Sequence, residues 1–155
     1  HLLGVDNSDV RSSIDLATRF IFRLIDNGNV QLRFRPDFKK RIAYHTPCHM
    51  ERLGWAHYST SLLRMIPGVE LTVLDSQCCG IGGTYGFKKE NYPTSQAIGE
   101  PLFRKIEAAN PDVVATDCET CKWQIEMSTP YTVAHPISIL AQAIDLEETK
   151  KLNIK

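Results

Sequence analysis

Long hydrophobic runs are missing from this sequence: nothing in it approaches the ~20 consecutive apolar residues that a helix needs to cross a bilayer. A charged-then-apolar leader ending at a small-residue cleavage site is missing too, so the expected setting is the cytosol. Excess charge is absent, because 18 Lys and Arg balance 18 Asp and Glu. No net field would draw in a polyanion, and nucleic acid is not among the expected partners. No internal repeat or low-complexity tract appears. The dinucleotide fingerprint G-x-G-x-x-G fails in the glycine-rich stretch, since it needs glycine where Tyr85 stands.

What is present is the composition of one compact domain: 155 residues, 43% apolar and 23% charged. The sequence starts at His1 and passes almost at once into an amphipathic pattern, so it is expected to be part of a longer protein with partner domains. Residues 1–9 read as linker. Val10, Ile14, Ala17, Ile21, Leu24 and Ile25 then recur at helical spacing, with Phe20 beside them and Asp26-Asn27-Gly28 as the stop. Val30, Leu32 and Phe34 alternate with polar neighbours and predict a short edge strand closed by Pro36.

From residue 41 short apolar runs alternate with helical stretches, the pattern of a parallel sheet built from β-α-β units. Strands are predicted over 41–45, 70–75, 112–116 and 131–134. The helices between them are predicted over 50–66, 94–109 and 119–127, with a last one over 136–144 opened by Pro136. Gly99 and Pro101 should kink or divide the second of these. The charged stretch 145–155 reads as frayed or linker. The expected fold is therefore α/β, a parallel four-stranded sheet with flanking helices.

Cys48, Cys78, Cys79, Cys118 and Cys121 all fall just after predicted strand ends. In a parallel sheet those carboxyl ends share one edge, where open α/β folds bind their ligands, so residues scattered in sequence become neighbours. Their spacing does not fit a zinc ribbon. There are 29 residues between Cys48 and Cys78 and 38 between Cys79 and Cys118, and only one C-x-x-C. Tetrahedral zinc would leave a fifth thiol unused.

Adjacent Cys78 and Cys79 are poor disulfide partners, but they can bind two different metal atoms. Five thiolates thus favour an iron–sulfur cluster over a single ion. Gly80, Gly82, Gly83 and Gly86 let backbone approach sulfur, and the helix opened by Cys118-Glu-Thr-Cys121 offers free N–H groups. Lys88, Lys89 and Lys122 lower the local charge.

The motifs HTPCH around Cys48, DSQCCGIGGTYGF around Cys78 and Cys79, and TDCETCKWQIE around Cys118 and Cys121 resemble the CCG, or cysteine-rich, domain family. That family recurs in heterodisulfide reductases and in glycolate, lactate and glycerol 3-phosphate oxidation. The wording here is most like the branch serving anaerobic glycerol 3-phosphate oxidation. The resemblance covers about 41–144. It implies that all five cysteines, Cys48, Cys78, Cys79, Cys118 and Cys121, hold a 4Fe-4S cluster, in the cubane or the noncubane form. The two cysteine intervals depart slightly from the usual family motif, the first being short and the second long.

By the same resemblance, 41–146 is the second cysteine-rich domain of its polypeptide, 1–40 precedes it as linker, amphipathic helix and edge strand, and 147–155 is a charged tail. Ferredoxin-type clusters and a first cysteine-rich domain would lie N-terminal to it. Flavin-containing dehydrogenase subunits would supply electrons and menaquinone would take them, at the inner face of the cell membrane.

Three functions follow as expectations: an electron-transfer module, a catalytic disulfide or quinone reductase site, and a zinc-stabilised docking domain. A thioredoxin-like pair at Cys118 and Cys121 is the simplest alternative for those two residues alone. His45, His49 and His135 also lie near strand ends, where they could tune a cluster, bind metal or only satisfy backbone groups. His49, Gly80 and His135 come first as neighbours of the ligands. Tyr85, Phe87, Tyr92 and Trp123 read as core packing or cluster insulation ahead of a quinone or partner surface.

Overall fold

The computed structural model describes residues 6 and 8–153. Four strands form one sheet: β1 Lys40–Tyr44, β2 Val69–Val73, β3 Val113–Ala115 and β4 Val133–Ala134. They lie in the order β2-β1-β3-β4 and every pairing is parallel. All four expected strands form, and so does the expected α/β architecture. The helices are α1 Ser8–Ser13, α2 Ala17–Asp26, α3 Cys48–Leu53, α4 Ala56–Arg64, α5 Tyr92–Ala109, α6 Glu119–Ser128, α7 Pro136–Ala143 and α8 Leu146–Asn153.

Strand periodicity sorts the core into two layers. Ile42 and Tyr44 of β1 and Ala115 of β3 pack with Leu62, Leu63 and Ile66 around α4 and with Ile139, Leu140 and Ala143 of α7. Ala43 and Val114 point to the other face, against Leu102, Phe103 and Ile106 of α5 and Ile125 of α6. Both faces are covered, which is why the central strands read as continuous apolar runs rather than alternating ones.

Several expectations are corrected. The helix predicted over 50–66 is two helices, because Gly54 takes the left-handed conformation (φ 65°) and caps α3 through its N–H to Glu51. The expected kink in α5 does not divide it, and the helix is continuous through Pro101. Proline removes one backbone bond on the exposed face, while Leu102, Phe103 and Ile106 on the other face stay buried against the sheet. The first amphipathic stretch also splits, at residues 14–16, where Asp15 accepts the Leu16 N–H and faces Arg19 and Arg23. Val10, Ile14 and Phe20 of its stripe are exposed rather than core. The linker expected over 1–9 lies mostly outside the described residues, and Ser8 and Asp9 already belong to α1.

The edge strand predicted over 30–34 is not a strand. It makes one isolated antiparallel bridge, Phe34 to Ile144. Its period-two burial is real, with residues 30, 32 and 34 turned inward, but beyond the backbone bonds Arg35 to Ala143 and Asp145 to Arg33 that flank this bridge, it is held by side chains of a helix. That helix, α8, occupies the stretch expected to be frayed. Asn153 accepts the Gln31 N–H (2.9 Å) and donates to the Gln31 carbonyl (2.8 Å). Thr149 accepts the Arg33 N–H (2.9 Å). Asp145 caps the helix by accepting the Glu148 N–H, so α8 is held by hydrogen bonds although none of its residues is buried.

Replacing Thr149 with valine removes this acceptor from Arg33. Valine also removes the bond from Thr149 Oγ1 to the Arg33 carbonyl (3.3 Å), so stability should fall by about 1–2 kcal/mol, the usual net worth of two hydrogen bonds, in urea denaturation. The Arg33 amide should exchange faster in the same chain.

Candidate functional site

Each cysteine owes its place to the strand before it. Beyond β1, the His45 N–H donates to the Ala115 carbonyl (2.9 Å), so the ladder runs one residue past the strand. Pro47, buried and extended, then turns the chain into α3 with Cys48 as its first residue. Beyond β2, the Leu74 N–H donates to the Tyr44 carbonyl, and Ser76 Oγ donates to Glu51 of α3 (2.7 Å), tying two cysteine loops together.

Gly80 ends that loop at φ 89°, where a Cβ would sit 1.9 Å from the Ser95 carbonyl oxygen. Only glycine fits this approach to α5. The contact is locked from the side, since Ser95 Oγ donates to the Gly80 carbonyl (2.9 Å) and buried Gln124 donates to Ser95 Oγ (3.0 Å). Beyond β3, Cys118 is the residue before α6 and Cys121 lies in its first turn.

The result is one cavity of about 170 Å³ lined by all five cysteines, with His45, His49, Gly82 and Gly83 among its other walls. Cys79 and Cys121 form its buried floor, their sulfurs 3.2 Å apart. Cys118 is partly buried, and Cys48 and Cys78 are exposed at the rim. The Gly80 N–H donates to Cys78 Sγ (3.3 Å). His45, Cys79 and Cys121 place their donor atoms within 4.8 Å of one another, all buried. The His45 Nε2 atom is enclosed and has no hydrogen-bond partner. Five sulfurs, an orphaned buried nitrogen and glycine backbone in the wall suit a thiolate-bound metal group.

Three sulfurs share too few protons to be independent. Hydrogen bonding with Cys118 and Cys79 pushes the Cys121 thiol up. The same bonding lowers Cys118 to about 4, with help from the Thr120 hydroxyl and the backbone N–H groups that open α6. It also lowers Cys79 to about 5, with further help from the nearby His45 ring and the Ile81 N–H.

Some expected neighbours sit elsewhere. His49 lines the cavity. His135 does not, and its Nδ1 instead accepts the Ile137 N–H as the cap of α7, while Nε2 faces Asp117 at 3.7 Å. The Asp117 side chain, only 2% exposed, accepts from Tyr44 Oη (2.5 Å) and Ser59 Oγ (2.6 Å). Burial, then the Asp117 charge, pushes the Tyr44 phenol up. This carboxylate locks the residue before Cys118 to β1 and α4. It was not foreseen, because one aspartate beside a cysteine carries no periodic signal. Tyr85, Phe87, Tyr92 and Trp123, expected as core or insulation, are exposed, with Phe87 and Trp123 tilted against each other at 5.9 Å.

Fold and site together define a cysteine-lined α/β domain with its thiols at the carboxyl edge of a parallel sheet. The chain belongs to the CCG family, the cysteine-rich domain, which residues 42–126 match. It is 63% identical over 143 residues to one of the subunits of the anaerobic glycerol-3-phosphate dehydrogenase of Escherichia coli K12, covering 92% of this chain and 36% of that protein. It is 36% identical over 99 residues to an uncharacterised iron–sulfur protein of Methanocaldococcus jannaschii, covering 63% of this chain and 19% of that one. Against one of the subunits of the fumarate reductase (CoM/CoB) of Methanothermobacter marburgensis it is 34% identical over 91 residues, 57% of this chain and 18% of that one. The chain thus spans only about a third of the length of the E. coli relative.

Two outcomes are expected. In the metal-free chain, labelling of Cys118 by iodoacetamide, read by peptide mass analysis, should change little between about pH 6 and about pH 8, whereas an ordinary thiol speeds up roughly 100-fold over that range. Asp117→Asn puts an amide N–H against one of two hydroxyl donors and should lower stability by about 1–3 kcal/mol in chemical denaturation.

Proposed function

We propose that this domain holds an iron–sulfur cluster, of the 4Fe-4S class in cubane or noncubane form, and relays electrons within a respiratory dehydrogenase. The observation that carries this reading is that five cysteines from three separate strand ends line one cavity. When bound, such a cluster accepts and returns one electron at a time. The chain's own contribution is to hold and insulate it. Cys79 and Cys121 anchor the buried side, Cys48 and Cys78 close the rim, and Cys118 joins them from the start of α6. The N–H groups at Gly80 and at the start of α6 offset thiolate charge that burial would otherwise make prohibitive.

The likeness to the E. coli anaerobic glycerol-3-phosphate dehydrogenase polypeptide supports the setting. In that setting flavin-containing subunits oxidise glycerol 3-phosphate and pass electrons through ferredoxin-type clusters and a first cysteine-rich domain of the same chain. This domain hands them on toward menaquinone. Among the described residues no helix is long and apolar enough to cross a membrane, in keeping with a peripheral seat on the inner face of the membrane.

The exposure of Cys48 and Cys78 favours a second reading, in which a disulfide or quinone is reduced at the rim itself.

The test is anaerobic purification and reconstitution of the full chain, with iron, acid-labile sulfide and EPR measured for the wild type and for each cysteine changed to serine. Cys79→Ser and Cys121→Ser should abolish the cluster, and Cys48→Ser should reduce its yield. Zinc in this domain, with no labile sulfide beyond that of Cys121→Ser, would overturn both readings in favour of a docking domain. Disulfide or quinone turnover by the isolated reduced chain would favour the second reading over the first.

A further inference from the structure

Outside the thiols, the cavity contains one polar atom that the fold leaves unanswered. His45 is 2% exposed, and its backbone is held in the extended ladder by Ala115, so the ring is set by the sheet rather than by a mobile loop. Its Nε2 is enclosed without a hydrogen-bond partner. Leaving a buried polar nitrogen unpaired costs about 1–3 kcal/mol, and folded proteins seldom do so. A ring nitrogen of His45 and the sulfurs of Cys79 and Cys121 lie within 4.8 Å of one another, close enough for the ring to help lower the Cys79 thiol, while Nε2 makes no hydrogen bond of normal geometry. A group held by the two sulfurs would lie within reach of that nitrogen.

We propose that His45 donates a hydrogen bond from Nε2–H to a sulfur of the bound cluster and thereby raises the cluster's reduction potential. The inference rests on the iron–sulfur reading above. A donor is favoured over a metal ligand by charge and by count. Five thiolates already outnumber the four irons of a 4Fe-4S cluster, so no further protein ligand is required, while the site carries more negative charge than it can comfortably bury. A neutral imidazole with its proton on Nε2 relieves that charge. It does so more strongly after reduction adds an electron, and hydrogen bonds to cluster sulfurs set potential in this way. The other two histidines do not compete for the role: His49 is exposed at the start of α3, and His135 faces Asp117.

The experiment compares anaerobically purified full chains: wild type, His45→Leu, His45→Gln and His49→Gln. The signal of this cluster is taken as the difference from Cys121→Ser. His45→Leu should load iron and sulfide as the wild type does but be tenfold harder to reduce, a fall of about 59 mV for one electron. His45→Gln, which keeps an N–H donor, should recover part of that loss. With 15N-labelled histidine, the wild type and His49→Gln should show a weak nitrogen coupling to the cluster that His45→Leu lacks.

A loaded His45→Leu chain with the wild-type potential overturns the proposal, and so does a coupling strong enough to mark a directly bound nitrogen. Should His45→Leu fail to fold, the labelled wild type decides, since absence of any histidine coupling overturns it. A wild-type chain with no more labile sulfide than Cys121→Ser removes the iron–sulfur reading and this inference together, whereas the other failures leave that reading standing.

Discussion

The backbone at Cys79 and Gly80 presses against α5 more closely than any side chain would permit. A Cβ on Gly80 would lie 1.9 Å from the Ser95 carbonyl oxygen, and one on Gly99 would lie 2.4 Å from the Cys79 carbonyl oxygen. Two glycines on facing segments thus let a loop and a helix meet backbone to backbone. The geometry of the site follows from that contact. It sinks Cys79 to the floor of the cavity beside Cys121, leaves Cys78 at the rim, and brings α6 into the arrangement through Gln124 and Ser95.

Much of this was legible in the sequence because parallel sheets announce themselves. Short β-branched runs separated by helical spacing marked all four strands to within two residues, and the order of cysteines after strands placed them on one edge. Less legible was everything decided by a partner rather than by a pattern. Residues 30–34 alternate like a strand, but the groups that accept the Gln31 and Arg33 N–H belong to Asn153 and Thr149, more than a hundred residues away. The segment carrying those two residues is so charged that composition marks it as frayed, and only its side-chain bonds to a distant backbone reveal otherwise. Gly54 and Pro101 show opposite limits of local rules. The glycine ended a helix that apolar spacing would have continued, whereas the proline failed to end one because burial on the opposite face outweighed a lost bond.

The histidines carry the same lesson within the site. His45, His49 and His135 are equivalent as sequence, since each lies near a strand end. Burial separates them: one is sealed with two thiols, one is at the surface of the cavity, and one is committed to capping α7 and facing Asp117. Asp117 in turn shows how the site is kept rigid without touching the cavity. A single carboxylate gathers Tyr44 from the sheet and Ser59 from α4, with His135 from the end of β4 beside it, so the loop entering Cys118 cannot shift without disturbing three other elements.

Cys78 and Cys79 are separated by one peptide bond, yet one sulfur faces solvent and the other the core. The loop between β2 and α5 is fixed at both ends, by the Leu74 N–H on the Tyr44 carbonyl and by Gly80 against Ser95, so its length decides which thiol faces inward. Inserting or deleting one residue between Val73 and Cys78 would carry Gly80 away from its contact with α5 and the two thiols with it. This loop therefore tolerates changes of residue far better than changes of length, unlike most surface connections, where length is the freer variable.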